Sequence, residues 1–175
     1  TEIDPNYSDA YFRIAYNKDL LGQNQEAIKY YQKTIEIDPN NFNAFNNLGY
    51  VYENLEQYNE ALKYHQKAQE ISPNETSPLL GIGNAKLGLE EYQEAIKYYQ
   101  KVIEIDPNYS EAFYNLGFAR ENLKQYEEAV KYYQKATEID PNYSDAYFRI
   151  AYNKDLLGQN QEAIKYYQKT IEIDP

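Results

Sequence analysis

The stretch EAIKYYQKTIEIDPN, residues 26–40, decides the fold because the chain repeats it at a constant interval. Its counterparts are EALKYHQKAQEISPN at 60–74, EAIKYYQKVIEIDPN at 94–108, EAVKYYQKATEIDPN at 128–142 and EAIKYYQKTIEIDP at 162–175. Successive copies start 34 residues apart. A period of about 20 to 50 residues is typical of repeat proteins, in which each repeat is one supersecondary unit.

Helical periodicity is present within each copy and in the segment before it. Ala27, Ile28 and Tyr31 fall on one face of a helix. Pro39 disfavours helical backbone at the preceding residue, so it predicts the end of this helix. Residues 8–22 show a second apolar face of the same period. Each repeat is therefore predicted to be an antiparallel helix pair, and neighbouring pairs must stack because one pair cannot bury both apolar faces.

The residues at the helix ends suggest how each helix starts and stops. We expect a serine hydroxyl to cap the first helix of three repeats, through Ser8, Ser110 and Ser144. We expect a glycine to separate the two helices in three repeats, at Gly22, Gly88 and Gly158.

Two aligned segments, 42–75 and 110–143, carry a large ring, Leu-Gly, Ala, a ring and Pro in constant phase. These positions are Phe45, Leu48, Gly49, Tyr52, Ala61, His65 and Pro73 in one, and Phe113, Leu116, Gly117, Ala129, Tyr133 and Pro141 in the other. The spacing resembles that of the tetratricopeptide repeat family, over the whole chain. The resemblance implies an all-α fold, an α-solenoid of antiparallel helix pairs in a right-handed superhelix.

The repeat frame predicts a single solenoid over residues 1–175. We assign repeats to 8–41, 42–75, 76–109, 110–143 and 144–175, and residues 1–7 to the end of a preceding repeat. Residues 1–39 and 137–175 are identical, so four repeats form a unit of 136 residues. We expect the chain to be a window of a longer array of such units, the alternative being an engineered or truncated chain. Head-to-tail self-association is a further expectation.

Composition argues against several classes of function. The net charge of −11, from 28 acidic and 17 basic residues, repels a phosphate backbone and disfavours nucleic acid as a partner. No apolar run approaches the ~20 residues that span a bilayer, so no membrane insertion is expected. The chain has no cysteine and a single histidine, His65, which we interpret as a core or edge residue rather than a ligand or base. We predict no catalytic residue, no metal site, no cofactor and no enzyme activity.

The resemblance also implies where a partner would bind. In this family the first helices line the concave face, and extended peptides lie across them. The positions that match are Phe12, Arg13, Tyr16, Asn46, Asn47, Tyr50, Asn84, Tyr114, Asn115, Phe118, Phe148, Arg149 and Tyr152. The carboxylates expected to flank them are Asp9, Asp19, Glu53, Glu111, Glu121, Asp145 and Asp155.

The chemistry of these positions suggests what the partner carries. Asn47 and Asn115 match a position at which family members hold a peptide backbone with an amide, which can donate and accept at once. Rings beside carboxylates suit a basic or aromatic-bearing peptide. The alternative is that the rings pack between neighbouring first helices. If they belong to a binding face, truncating Tyr50 or Phe118 to alanine should leave stability almost unchanged.

Four asparagines begin the pattern Asn-x-Ser/Thr at the same turn of successive repeats: Asn6, Asn74, Asn108 and Asn142. They are candidate N-glycosylation acceptors. The alternative is that asparagine favours the turn and the hydroxyl residue caps the next helix. Used acceptors would place the protein outside the cell; without them a cytoplasmic location is the default expectation.

The leading functional hypothesis is a non-catalytic scaffold that binds a protein or peptide on the concave face. The alternative is a structural repeat array that continues end to end as a superhelical fibre, extracellular and glycosylated if the acceptors are used.

Overall fold

A computed structural model describes residues 7–174, and this part of the chain is entirely helical, without a strand. The first helices of the repeats are α1 (Ser8–Leu20), α3 (Phe42–Asn54), α5 (Thr76–Gly88), α7 (Ser110–Asn122) and α9 (Ser144–Leu156). The second helices are α2 (Asn24–Ile37), α4 (Tyr58–Ile71), α6 (Tyr92–Ile105), α8 (Tyr126–Ile139) and α10 (Asn160–Ile173).

The two helices of each repeat are joined by a turn of three residues, and the pairs that lie within one unit are antiparallel neighbours. The middle residue of each turn has a positive φ: Gly22 (69°), Glu56 (57°), Glu90 (61°), Lys124 (60°) and Gly158 (73°). Gly22 and Gly158 separate helices as expected. Gly88 does not, because it is the last residue of α5. A Cβ at Gly88 would lie 2.5 Å from the Tyr58 ring, so this glycine allows close packing instead.

The expected serine caps are wrong. Ser8, Ser110 and Ser144 are the first helical residues, and the N-cap positions before them are tyrosines without a side-chain capping bond. A serine that is already helical lies one position too late to cap its own helix. In α3, by contrast, the Asn41 side chain accepts a hydrogen bond from the Ala44 N–H at 3.0 Å.

The chain forms two compact units, which meet in sequence between Leu89 and Glu90. Unit one contains α1 to α5, and α2 contacts both α1 and α3. One core cluster of this unit includes the fully buried Tyr31, Leu48 and Val51.

Unit two contains α6 to α10, and α8 contacts both α7 and α9. Its core cluster is formed by Ala129, Val130, Tyr133 and Ile150. In each unit, therefore, a second helix packs against the first helix of its own repeat and of the next, which is the solenoid packing that the periodicity predicts.

Candidate interaction surface on the first helices

One buried ring from each of α2, α4, α6 and α8 organises the surface of the first helices. Tyr31, His65, Tyr99 and Tyr133 occupy equivalent positions 34 residues apart, and all four are fully buried. First-helix rings lean on them in the same way. Ring centroids are 5.8 Å apart for Phe12 and Tyr31, and 5.4 Å apart for Tyr114 and Tyr133. These predicted partner-binding rings therefore also contribute to packing within their own repeat.

In unit one the buried ring of α4 is His65, and it is the centre of a polar network. Its Nδ1 lies 3.0 Å from Asn46 Oδ1, and its Nε2 lies 2.9 Å from Glu53 Oε1. Asn46 also donates its Nδ2–H to Ser77 Oγ at 2.7 Å. Asn46 is only 5% exposed. Through its contacts with His65 and Ser77, its amide links α3 to α4 and α5 within the unit.

Two glycines make room for the His65 ring. A Cβ at Gly81 would clash with this ring, and a Cβ at Gly49 would lie 2.6 Å from it. The imidazole is thus held between α3 and α5 with no exposed surface, in agreement with its interpretation as a core residue.

Asn47 and Tyr50 of α3 are half-buried, and both make contacts inside unit one. Asn47 donates its Nδ2–H to the Tyr31 hydroxyl at 3.3 Å. The Tyr50 hydroxyl lies 3.1 Å from the Ser77 carbonyl oxygen, and its ring meets His65 edge-on at 4.8 Å. Burial raises the pKa of Tyr31 to about 12. A peptide that bound the Asn47 amide would share or replace its hydrogen bond to the Tyr31 hydroxyl.

In unit two the corresponding network is centred on the carboxylate of Glu121, which accepts three hydrogen bonds. The donors are Arg149 Nη1 at 2.9 Å, Asn153 Nδ2 at 2.7 Å and the Tyr133 hydroxyl at 2.9 Å. Burial, followed by the nearby Glu121 charge, raises the pKa of Tyr133. This carboxylate, expected to flank the binding face, thus already has a basic partner within the chain.

The Arg149 guanidinium also lies over the Phe118 ring, 4.7 Å from its centroid. Phe118 is therefore part of the junction between α7 and α9. Given this contact and the Tyr50 hydrogen bond, we expect alanine at either position to lower stability rather than to leave it unchanged. Sequence reasoning missed the junction, although Arg149 and Asn153 stand where repeats two to four carry Asn or Gly and Val or Ala.

The other predicted positions differ in exposure. Tyr16 is 47% exposed, Phe148 45% and Tyr152 40%, which makes them the most accessible rings of the predicted set. Arg13 is exposed and lies 3.4 Å from Asp9. Asn84 and Asn115 are half-buried, and each interacts with another residue.

The candidate glycosylation acceptors Asn74, Asn108 and Asn142 are exposed in the turns that precede α5, α7 and α9. The backbone N–H groups of Asn108 and Asn142 donate to Asp106 and Asp140, at 2.9 and 3.0 Å. Asn6 lies outside the described residues.

A surface feature that the sequence analysis did not consider recurs on the second helices. Shallow notches combine a ring of the first helix with a tyrosine and two lysines of the second, as in Phe45, Lys63, Tyr64 and Lys67. Glu70 pairs with Lys67 at 2.7 Å, so the charge of this notch is partly balanced.

Within residues 7–174, no group of three or more His, Cys, Asp and Glu side chains is arranged to hold a metal ion. In the same range, no helix has the length and apolar character needed to cross a membrane.

Solved structures with a similar fold cover nearly the whole chain. The MamA chain in one crystal structure is 28% identical in sequence to this chain and superposes with a TM-score of 0.81. The match covers 92% of this chain and 94% of the MamA chain. MamA residues 41 to the end from Desulfovibrio magneticus RS-1 is 21% identical, with coverage of 99% and 97% and a TM-score of 0.85. YrrB, described as a TPR protein with an unusual peptide-binding site, is 24% identical, with coverage of 98% and 89% and a TM-score of 0.73.

Sequence profiles of one family match successive parts of the chain. Profiles described as tetratricopeptide repeat match residues 41–108, 110–143 and 132–165, and one described as TPR repeat matches residues 20–56. No curated protein sequence matches the chain. The matches follow the 34-residue period and the helix pairs described above. The chain therefore belongs to the tetratricopeptide repeat family and has the fold of a protein-interaction scaffold.

Proposed function

We propose that this protein is a non-catalytic scaffold that binds a basic peptide, or a basic segment of a partner protein, across the surface of its first helices. The observation that carries the proposal is the Arg149 contact in unit two. There, a ring and a carboxylate three residues apart, Phe118 and Glu121, together bind one guanidinium. This intramolecular contact is a direct example of the cation recognition that the surface offers.

The same ring–carboxylate pair recurs in α1 as Tyr16 and Asp19, but there the next repeat supplies no arginine. The position of Arg149 is occupied by Asn47, whose amide bonds the Tyr31 hydroxyl. The Tyr16 ring remains 47% exposed, and burial raises the pKa of Asp19. We infer that a partner's arginine enters here, over Tyr16 and beside Asp19.

The fold comparisons support a peptide ligand by analogy, because YrrB is described as having a peptide-binding site. The scaffold role also follows the family, whose members act by binding other proteins.

A substitution that fills the site from within the chain tests this proposal. Asn47→Arg should place a guanidinium over Tyr16, as Arg149 lies over Phe118. Binding of a fluorescent nonapeptide with a central arginine, measured by anisotropy, should weaken about tenfold or more. Asn43→Arg, at an exposed position of the same helix outside the predicted binding set, adds the same charge and serves as the matched control.

Binding that is unchanged by Asn47→Arg would exclude the Tyr16–Asp19 site. A nonapeptide with glutamate in place of the arginine should bind less tightly than the original. Equal affinity for both peptides would contradict recognition of a basic ligand.

A second candidate function is a structural array that continues end to end, and the exposed apolar face of α10 supports it. Ile28 of α2 is 8% exposed, whereas the identical residue of α10, Ile164, is 50% exposed. The array would be extracellular if Asn74, Asn108 and Asn142 carry glycans. Light scattering over a hundredfold range of concentration tests self-association. A mass decrease on glycosidase treatment, after expression through a secretory pathway, tests the glycans.

A further inference from the structure

We propose that Arg13 of one copy of this chain binds the Tyr152–Asp155 pair of a second copy, joining the two copies head to tail. The contact rests on the second candidate function and names the residues that would form it. It follows from a comparison of residues 7–38 with residues 143–174, which are identical in sequence but have different neighbours in the structure.

The template is the junction between repeats four and five. Arg149 of α9 lies over Phe118 and bonds Glu121, and Asn153 bonds the same carboxylate. Ile150 packs into the cluster of Val130 and Tyr133. At one edge, Tyr143 stacks on Tyr114 with centroids 5.0 Å apart. The junction thus combines one cation, one carboxylate, an apolar contact and a ring stack.

The donor half of this junction is present again, exposed, on α1, because residues 7–38 repeat 143–174 letter for letter. The Arg13 side chain is 74% exposed, against 30% for Arg149. Asn17 is exposed, whereas Asn153 is fully buried. The structure therefore contains the same donor set twice, once against a neighbouring repeat and once facing outward.

The acceptor half has a close chemical match on the outer face of repeat five. At the positions of Phe118, Glu121 and Val130 this repeat carries Tyr152, Asp155 and Ile164. Tyr152 is 40% exposed and Ile164 50% exposed. In repeat one the same face lies under α3, so it is a surface that this fold normally covers with another repeat.

The two halves are complementary in charge and in the types of side chain that they present. Arg13 would lie over Tyr152 and bond Asp155, Asn17 would donate to the same carboxylate, and Ile14 would meet Ile164. All of these residues belong to the part of the chain that the structure describes. Asp155 is one methylene shorter than Glu121, so its reach toward the guanidinium is shorter. We therefore expect weaker binding than at the internal junction, with association visible only at high protein concentration.

Variants of the exposed charges test the contact in the full chain by sedimentation velocity and light scattering over a range of concentrations. Arg13→Glu and Asp155→Lys should each weaken association about tenfold or more, and the double variant should restore it, because the charges are then exchanged. Asp155→Glu should strengthen association. Asp145→Glu, in the first turn of the same helix, is the matched control.

The outcomes separate this contact from the functions proposed above. Concentration-dependent mass that responds to neither single reversal overturns the Arg13–Asp155 contact, although the chain would still self-associate through another surface. Constant monomer mass for both the original chain and Asp155→Glu overturns the contact and the array together. Neither result affects peptide binding at Tyr16. Loss in both single variants with recovery in the double variant establishes the contact.

Discussion

Glu121 shows how one carboxylate can set the specificity of a repeat junction. It is 11% exposed and accepts hydrogen bonds from Arg149, Asn153 and Tyr133. A carboxylate with so little access to water needs such donors, because a buried charge without partners is costly. The three donors come from α8 and α9, so a single residue of α7 orients both neighbouring helices.

Neutralising this carboxylate should therefore destabilise the fold. Glu121→Gln keeps the size of the side chain but places an amide among three donors, and we expect a loss of about 1–3 kcal/mol in the free energy of unfolding. Urea denaturation measures the loss without screening the charges. Glu127→Gln, at an exposed position in α8, is the control. Equal midpoints for the two variants would contradict a structural role for Glu121.

The turns between paired helices show the same geometry with different residues. All five place one residue in the left-handed region, but only two of those residues are glycines, Gly22 and Gly158. At Lys124, with φ of 60°, the side chain imposes a steric cost that glycine avoids. The shared helix–turn–helix geometry therefore holds this backbone conformation even where the residue does not favour it.

Lys124→Gly should therefore stabilise the protein, by about 0.5–1 kcal/mol after the entropy cost of glycine in the unfolded chain is included. The expected result is a higher midpoint of thermal unfolding. Lys124→Ala removes the same charge but keeps a Cβ, so it should not reproduce the gain. An equal increase in both variants would assign the effect to charge rather than to backbone conformation.

Across the whole molecule, buried and half-buried tyrosines tie stability to high pH. The chain has 22 tyrosines and no tryptophan. Burial raises the pKa of Tyr31 to about 12 and also raises the pKa values of Tyr133 and Tyr143. The folded state therefore keeps these phenols neutral at a pH where the unfolded chain, with an ordinary pKa of 10.0, has already lost their protons.

The sign of the pH effect follows from this difference. The stabilisation is fully present below pH 10 and is lost as the pH rises toward the folded-state pKa of about 12. Urea denaturation at increasing pH should show a falling free energy of unfolding above pH 10. Tyr31→Phe removes one of these protons and should reduce the slope. Tyr7→Phe, at an exposed tyrosine, should not.

Much of the fold was predictable because its signals are local in sequence. The 34-residue period, the apolar face of each helix and the proline after it predict helix pairs that must stack. The serine caps and the role of Gly88 were not predicted correctly. A shift of one or two residues changes which side chain stands at a helix end, and periodicity does not define ends so finely.

The candidate surface was predictable only in outline. Family resemblance located the first-helix positions, but it did not distinguish the exposed Tyr16 from the buried Asn46. Asn46 is buried because His65 and Ser77 both lie within hydrogen-bonding distance of its amide. Those partners are 19 and 31 residues away in sequence, so the network forms only when three helices pack.

The sequence by itself determined that this protein is a stack of tetratricopeptide helix pairs, since repeat period and helical periodicity are properties of neighbouring residues. Only the tertiary structure decided what each side chain does. Arg13 and Arg149 stand in identical segments, yet one is exposed and the other lies over Phe118 beside Glu121. Burial and charge pairing depend on the adjacent repeat, and an identical sequence therefore acquires a different role beside a different neighbour.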